Sequence, residues 1–462
     1  MRTISKISKA VRAWIFLLLP VIIFTATVGN SGEAEKRLTL AEAVQAAMEN
    51  NHELKAQKNA LAARRENIGL ARSVLLPKIS FEERYLRTVN PSYAFMTKLN
   101  QQRIEATDFV PAALNRPDAT SDFQSALSFE QPVFVKKANI GLAMSKTDAE
   151  ASAEDWQRKR EEIAFKVVQC YLMVATAGEY VAVAEKARDD ASEHQRLAEV
   201  RYRAGLGLYS DMLRASTAVA EAGQKLVSAG KNLRLAKKTL GLMLGSEAAI
   251  DITETPPSLP VKDREYLRTQ SLGRRDVKSM ELRKENAQNN IKLAEAGFFP
   301  SLGVGGIYQL NDHNKPLGSE GDSWQLMAFL KWELFDGTKR QHEKSKAKYQ
   351  ATEAEEYLAG MKKMVSFQLE EAWLTLEETK KNMEFAQEAL KTAEEGRRLV
   401  KVRYEGALSP IVDMLDAQVS FDHARANLVA RENEYKLAIA NLSFAGGTML
   451  ADLQQEEQGR IK

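Results

Sequence analysis

The chain repeats itself, and that constrains its fold more than any other feature. Val200-Arg201-Tyr202 followed by Asp211-Met212-Leu213 recurs as Val402-Arg403-Tyr404 followed by Asp413-Met414-Leu415, offset by about 202 residues. Self-similarity at a fixed offset marks a duplicated structural unit. Earlier in each half, Asn67-Ile68, Leu70-Ala71 and Pro77 recur as Asn290-Ile291, Leu293-Ala294 and Pro300, offset by about 223. The offset shrinks by about 21 between the two motifs, so the second half carries a shorter loop somewhere between them.

The first half opens with Leu38-Thr39-Leu40-Ala41-Glu42-Ala43, where Thr39 and Glu42 have capping-box spacing and start a helix. Helical pattern continues to Leu76, where Pro77 removes a backbone donor and the period changes. Ile79, Phe81 and Tyr85 then alternate with Lys78, Ser80, Glu82 and Arg84, which predicts a strand with one apolar and one charged face. A second strand is predicted around Phe123, Ser125, Leu127 and Phe129, after a polar loop interrupted by proline. From about Lys137 to Arg203 the pattern is helical without a break, roughly 65 residues or about 100 Å at helical rise. The turn Ala204-Gly205-Leu206-Gly207 ends it, and a returning helix runs from Ser210 to about Leu244.

The second half replays this order. Strands are predicted around Leu302, Val304, Gly306 and Tyr308, and from Trp324 through Leu326, Ala328 and Leu330 to Trp332, followed by a long helix from about Lys339 to Glu405. The expected domains are a signal peptide at 1–30, a first repeat at 31–250, a Pro-dense linker at 251–272, a second repeat at 273–450 and a polar tail at 451–462.

Arg2, Lys6, Lys9 and Arg12 precede an apolar run from Trp14 to Phe24 and then small residues, the three-part pattern of a secretory signal. The run is short for a membrane span, and no second apolar segment of spanning length is expected. The formal charge is +3, and the segment up to Ala26 holds those four bases and no acid, so the remainder is about −1. Without a surplus of clustered bases, nucleic acid is not an expected partner. Cys170 is the only cysteine; it permits no internal disulfide and reads as a buried small apolar residue.

Nothing points to an enzyme. His52, His194, His313, His342 and His423 are scattered, none at metal-ligand spacing, and no cofactor or metal is expected. Gly303-x-Gly305-Gly306 lies inside a strand pattern, not before a helix, and suits a crowded, curved strand better than a phosphate.

Each half thus supplies two strands of about ten residues with one apolar face, the pattern of transmembrane barrel strands. Four strands cannot close, and a sheet in lipid must leave no edge unpaired, so several chains would have to assemble. Trp324, Trp332, Tyr85 and Tyr308 fall near the predicted strand ends, where amphipathic rings suit the membrane interface.

The duplicated order of helix, two strands, very long helix, turn and helix resembles the TolC family of outer-membrane efflux proteins. The matching residues are Leu38-Thr39-Leu40-Ala41-Glu42-Ala43, Pro77 and Pro300, Pro132-Val133-Phe134 with Leu334-Phe335-Asp336-Gly337, and the two tip motifs. The resemblance implies a mainly α chain whose antiparallel coiled coils form an α-barrel in the periplasm. Its four β-strands would join those of two other copies in a twelve-stranded outer-membrane barrel. It further implies a homotrimeric passive channel in outer-membrane lipid, opened by a periplasmic adaptor and a proton-driven or ATP-driven inner-membrane pump.

Asp413 and Asp416 share one helical face, and threefold symmetry would make them two stacked carboxylate rings. By resemblance these rings would form the pore constriction and favour cations. The other reading is local: Ser409 caps the helix, Pro410 occupies its first position, and early acids favour the positive helix end. Also by resemblance, Asp211 accepts a hydrogen bond from Tyr404 to latch the closed state. Ser409 stands where the family has a helper arginine, which leaves Arg403 or Arg201 as substitutes. The tips Gly205-Leu206 and Gly406-Ala407-Leu408 would contact the adaptor. A reading from another class keeps the same helices in a soluble periplasmic coiled-coil scaffold without channel activity.

Overall fold

The computed structural model describes residues 36–253, 259–406 and 408–461. The segment read as a signal, residues 254–258 of the linker and Ala407 of the second tip lie outside the described residues. In chain order the elements are β1 (Lys36–Leu38), α1 (Leu40–Asn50), α2 (His52–Ser73), β2 (Lys78–Thr88), α3 (Pro91–Asn100), α4 (Pro111–Asn115) and β3 (Thr120–Phe134). The long α5 (Lys136–Arg203) follows, then α6 (Tyr209–Met243), β4 (Ile250–Ile252), α7 (Arg264–Leu272) and α8 (Arg275–Ala296). The chain continues with β5 (Ser301–Asp312), β6 (Gly321–Lys331), α9 (Lys339–Glu405), α10 (Ile411–Gly446) and α11 (Met449–Ile461).

Local signals start the elements as their chemistry dictates. The Thr39 hydroxyl accepts from the Glu42 amide at 3.2 Å while Glu42 Oε2 accepts from the Thr39 amide at 2.8 Å, so two orphan donors at the start of α1 are satisfied. Asn51 separates α1 from α2. Its Oδ1 takes the amides of Glu53 and Leu54 at 2.9 and 3.2 Å, and its Nδ2 donates to the Met243 carbonyl at 2.8 Å.

Each half is organised around one very long helix. The 68-residue α5 is flanked by the 22-residue α2 and the 35-residue α6. In the second half α8 and α10 lie along the 67-residue α9 in the same way. Where the two halves meet, α5 packs on α8 and α10. The core lies partway along these helices, where Ile163, Val167, Tyr171 and Val174 of α5 meet Leu369 and Leu376 of α9, Ile439 and Leu442 of α10 and Leu267 of α7. Cys170 is buried in this core, and burial pushes its thiol pKa up, away from the reactive thiolate. Contrary to expectation, α5 does contain an 18-residue window apolar enough for a membrane span, with a mean hydropathy of 1.4. A third of that window is buried, among it Val167, Tyr171 and Val174, which pack in this core.

The sheet is antiparallel in the order β2-β3-β5-β6. Its register lines up Phe81, Leu127, Tyr308 and Trp324 in one row and Glu82, Ala126, Gln309 and Ser323 in the next. One face is therefore apolar and the other polar, as the alternation predicted. The apolar face is bare, with Leu326 76% and Trp324 71% exposed. Three acids share that face: Glu83, which accepts a hydrogen bond from the Ser125 hydroxyl, and Asp312 and Asp322 toward the β5–β6 end. At Gly303 an added Cβ would fall 2.4 Å from the Phe329 ring, so the glycine makes room for a cross-strand aromatic.

Two segments differ from expectation. The β2–β3 connection is not a structureless loop: Asn90 caps α3 through its Oδ1 with Pro91 in the first turn, and α4 follows. The last part of the expected linker is α7, capped by Asp263, and the polar tail is largely α11.

Candidate functional site

The two helical hairpin tips lie side by side and enclose a small apolar core of Ala198, Ala215, Tyr404, Ile411 and Met414. Beside it is a cleft of about 350 Å³ lined by Arg201, Leu206, Asp211, Tyr404, Leu408 and Ser409, among others. The structure thus brings together residues about 200 positions apart in sequence.

The first tip ends with Gly205 at a φ of 74°, a left-handed conformation that glycine adopts at little cost. The Leu206 amide reaches back to the Arg201 carbonyl at 2.9 Å and the Gly205 amide to Tyr202 at 3.0 Å, closing the helix end. The second tip repeats the first of these bonds, from the Leu408 amide to the Arg403 carbonyl at 2.8 Å. Gly406 itself has an ordinary negative φ of −79°, and the counterpart of Gly205 is Ala407, outside the described residues. Leu206 and Leu408 are 72% and 73% exposed, so both tips present a bare leucine.

The arginine that reaches Tyr404 is Arg201. Its Nη1 donates to the Tyr404 carbonyl at 2.7 Å, and the guanidinium lies 4.7 Å from the ring centroid. Arg403, the other candidate, is exposed, and among the described residues its side chain has no hydrogen-bond or ion-pair partner. The physical reason is burial. Tyr404 is 4% exposed whereas Tyr202, its counterpart beside Arg201, is 43% exposed, so only the first-half arginine has a buried ring to cover. Burial raises the Tyr404 pKa, with Arg201 opposing and the nearby Asp211 charge reinforcing that shift. No hydrogen bond joins Asp211 to Tyr404; both line the same cleft.

Asp413 and Asp416 are exposed and lie in the first two turns of α10. Ser409 does not cap the helix: Pro410 is the cap residue and no side-chain cap bond forms. Instead the Ser409 hydroxyl donates to Asp413 Oδ2 at 2.6 Å and fixes that carboxylate. The offset of the duplication pairs Asp413 with Asp211 but Asp416 with Arg214, so only the second copy carries two acids. Asp416 shares its helical face with Val419 and His423. Those two residues line a groove of about 1320 Å³ along α5, α6 and α10, whose polar lining includes Glu221, Lys225 and Asp422.

Two arrangements escaped the sequence. Further from the tip, Asp190 of α5 accepts from Arg397 of α9 at 3.2 Å and from Gln418 of α10 at 3.3 Å, and His194 contacts Gln418 at 3.4 Å. Burial lowers the His194 pKa. At the strand-to-helix junction, the nearly buried Arg340 is held by Asp336 Oδ2 at 2.8 Å and by the carbonyls of Glu333, Leu334 and Gly297 at 2.7, 3.2 and 3.3 Å. Buried polar side chains with long-range partners are invisible to periodicity, although the Asp336-x-x-x-Arg340 spacing hinted at this pair.

Comparisons with known proteins agree with this geometry. The family model described as outer membrane efflux protein matches residues 43–246 and 269–448. Outer membrane protein TolC of Vibrio cholerae is 21% identical over 445 residues, covering 94% of this chain and 95% of that protein. Among solved structures, a membrane protein from Pseudomonas aeruginosa superposes with a TM-score of 0.76 at 19% identity, covering 89% of this chain and 91% of the other. The outer membrane protein VceC of Vibrio cholerae gives 0.72 at 17% identity, covering 88% and 96%. Matched in both of its repeats, with the fold those structures share, the chain belongs to the outer membrane efflux protein family.

Proposed function

We propose that three copies of this chain form a passive exit duct, with no covalent chemistry of its own, opened when an inner-membrane pump and a periplasmic adaptor engage the helical tips. The chain is an outer-membrane protein whose helices stand in the periplasm. The observation that carries the trimer is the sheet. Its β2 and β6 edges are unpaired and its apolar face is exposed, which neither lipid nor water tolerates in a lone chain. Edge strands of 11 residues each match in length, so β6 of one copy can pair with β2 of the next until the ring closes. The polar rows of Glu82, Gln309 and Ser323 then face the lumen.

At the other end, threefold symmetry turns Asp413 and Asp416 into carboxylate rings that narrow the duct and favour cations. Arg201 and Tyr404 hold the two tips of each protomer together, with Asp211 in the same cleft. Leu206 and Leu408, beside Gly205 and Gly406, offer the adaptor its apolar contacts, and Ala407 belongs to the same contact by its place in the sequence. The soluble scaffold is disfavoured because a row of bare Phe81, Leu127, Tyr308 and Trp324 is not a surface that water-soluble proteins keep.

The test is conductance of detergent-purified protein in planar bilayers, beside a D413A/D416A double variant. A small cation-selective conductance that grows and loses selectivity in the variant supports the duct and its gate. An unchanged pore removes the acids from the gate, and a water-soluble monomer without conductance removes the duct.

A further inference from the structure

At the end of the sheet remote from the long helices, the β5–β6 connection brings Asp312, His313 and Glu320 together. We propose that these three residues bind one divalent transition-metal ion of the zinc class per protomer, at the outer mouth of the barrel. One ligand atom from each residue lies within 4.8 Å of the other two. Ligands on a metal with bonds of about 2.0–2.2 Å stand roughly 3–4 Å apart, so small side-chain adjustments close the site.

The loop is built around these side chains. Asp312 Oδ1 accepts the amides of Asn314 and Lys315 at 2.8 and 3.0 Å, and among the described residues Oδ2 makes no hydrogen bond. Glu320 Oε2 accepts the His313 amide at 3.0 Å, which leaves Oε1 to face the imidazole. Each carboxylate therefore spends one oxygen on holding the loop and keeps the other for a ligand. The backbone at Gly318 passes so close that a Cβ there would fall 2.0 Å from Asp312 Oδ2. The turn is thus wrapped onto the aspartate.

Within the cluster, the imidazole and the Glu320 carboxylate already converge. His313 Nδ1 is sealed from solvent and lies against Glu320 Oε1 in ion-pair contact without hydrogen-bond geometry. The ring nitrogen and the carboxylate oxygen face each other without a hydrogen bond between them, and a cation drawn in between would ligate both. A nitrogen donor with two carboxylates selects zinc, nickel or cobalt over calcium and magnesium, which prefer oxygen alone. Sequence spacing concealed the set because Asp312 ends β5 and His313 opens the connection beside it, and only the turn returns Glu320 to them.

The test uses the untagged full-length protein in detergent, stripped with chelator and dialysed against Zn2+, with bound metal counted by mass spectrometry. One ion per chain is expected, with affinity falling more than about tenfold in H313Q and in E320Q. H342Q, which alters an exposed histidine on α9, should bind as wild type does. Gel filtration of every variant checks assembly, and Co2+ substitution should give ligand-field bands that H313Q loses. Zero stoichiometry in correctly assembled protein would mean that His313 and Glu320 form only an ion pair, and the proposal fails. It fails equally if H313Q and E320Q bind as wild type does, or if Ca2+ competes on equal terms.

Discussion

Replacing Arg201 with alanine should open the periplasmic end of the duct, and the structure sets the size of the effect. Arg201 gives Tyr404 a charge-assisted hydrogen bond at 2.7 Å and a guanidinium 4.7 Å from the ring. Such hydrogen bonds contribute about 1.5–3 kcal/mol and such cation–π contacts about 0.5–1 kcal/mol. Arg201 is only half-buried, so the low ends apply, about 2 kcal/mol per protomer. Three protomers acting independently on one opening would sum to about 6 kcal/mol, or roughly four decades in the closed-to-open ratio. Single-channel recording reads this as a rise in open probability and conductance. The duplication supplies its own control, because Arg403 occupies the matching place in the second tip with no side-chain partner among the described residues. R403A should leave the channel unchanged, and Y404F should change it little, since the bond goes to the backbone carbonyl and not to the hydroxyl. A closed R201A channel, or an R403A channel as open as R201A, would refute the assignment of the latch.

Three other perturbations follow from the same coordinates. L326R on the bare face of β6 should cost about 2–4 kcal/mol of membrane stability if it lies near the bilayer centre; Q325R, one residue away and facing the polar side, should assemble normally, as trimer yield after membrane fractionation will tell. R340M should destabilise the strand-to-helix junction by about 3–5 kcal/mol, because it leaves the buried Asp336 carboxylate without its partner; thermal melting in detergent measures this. Burial depresses the His194 pKa below its ordinary value of 6.5, so below that pH the unfolded chain binds the proton more readily than the folded one. Stability around this cluster should therefore fall as pH drops through about 6.5 toward the folded value, and hydrogen exchange around Asp190 and Gln418 should rise there in wild type but not in H194Q.

The architecture was legible because its signals are local and periodic. Pro77 and Pro300 mark the changes of period, Thr39 and Glu42 cap where their spacing says, and the row of Phe81, Leu127, Tyr308 and Trp324 is the alternation carried across four strands. Asn90-Pro91 is as plain a helix start as Thr39-x-x-Glu42, yet α3 was missed because the segment around it is polar and proline-rich. Arg340 was missed for a different reason. Asp336 and the carbonyls that hold the arginine converge only after the chain has folded, and no pattern of hydrophobicity encodes where carbonyls point.

The tip shows most sharply what duplication hides. Two copies of Val-Arg-Tyr leave Arg201 and Arg403 equivalent on paper, and only packing breaks the tie by burying Tyr404 and leaving Tyr202 in solvent. The acids follow the same logic. Asp211 and Asp413 correspond, but the next position on that face is Arg214 in one copy and Asp416 in the other. A trimer built from two like hairpins per chain would have near-sixfold symmetry at its tip. The exchange of Arg214 for Asp416 would reduce that symmetry to threefold and give one set of hairpins two acids where the other has an acid and a base. Arg201 draws Tyr404 across at the junction between the two tips. A gate needs two kinds of hairpin, one to move and one to hold, and the sequence departs from its own repeat at the positions where that difference would act.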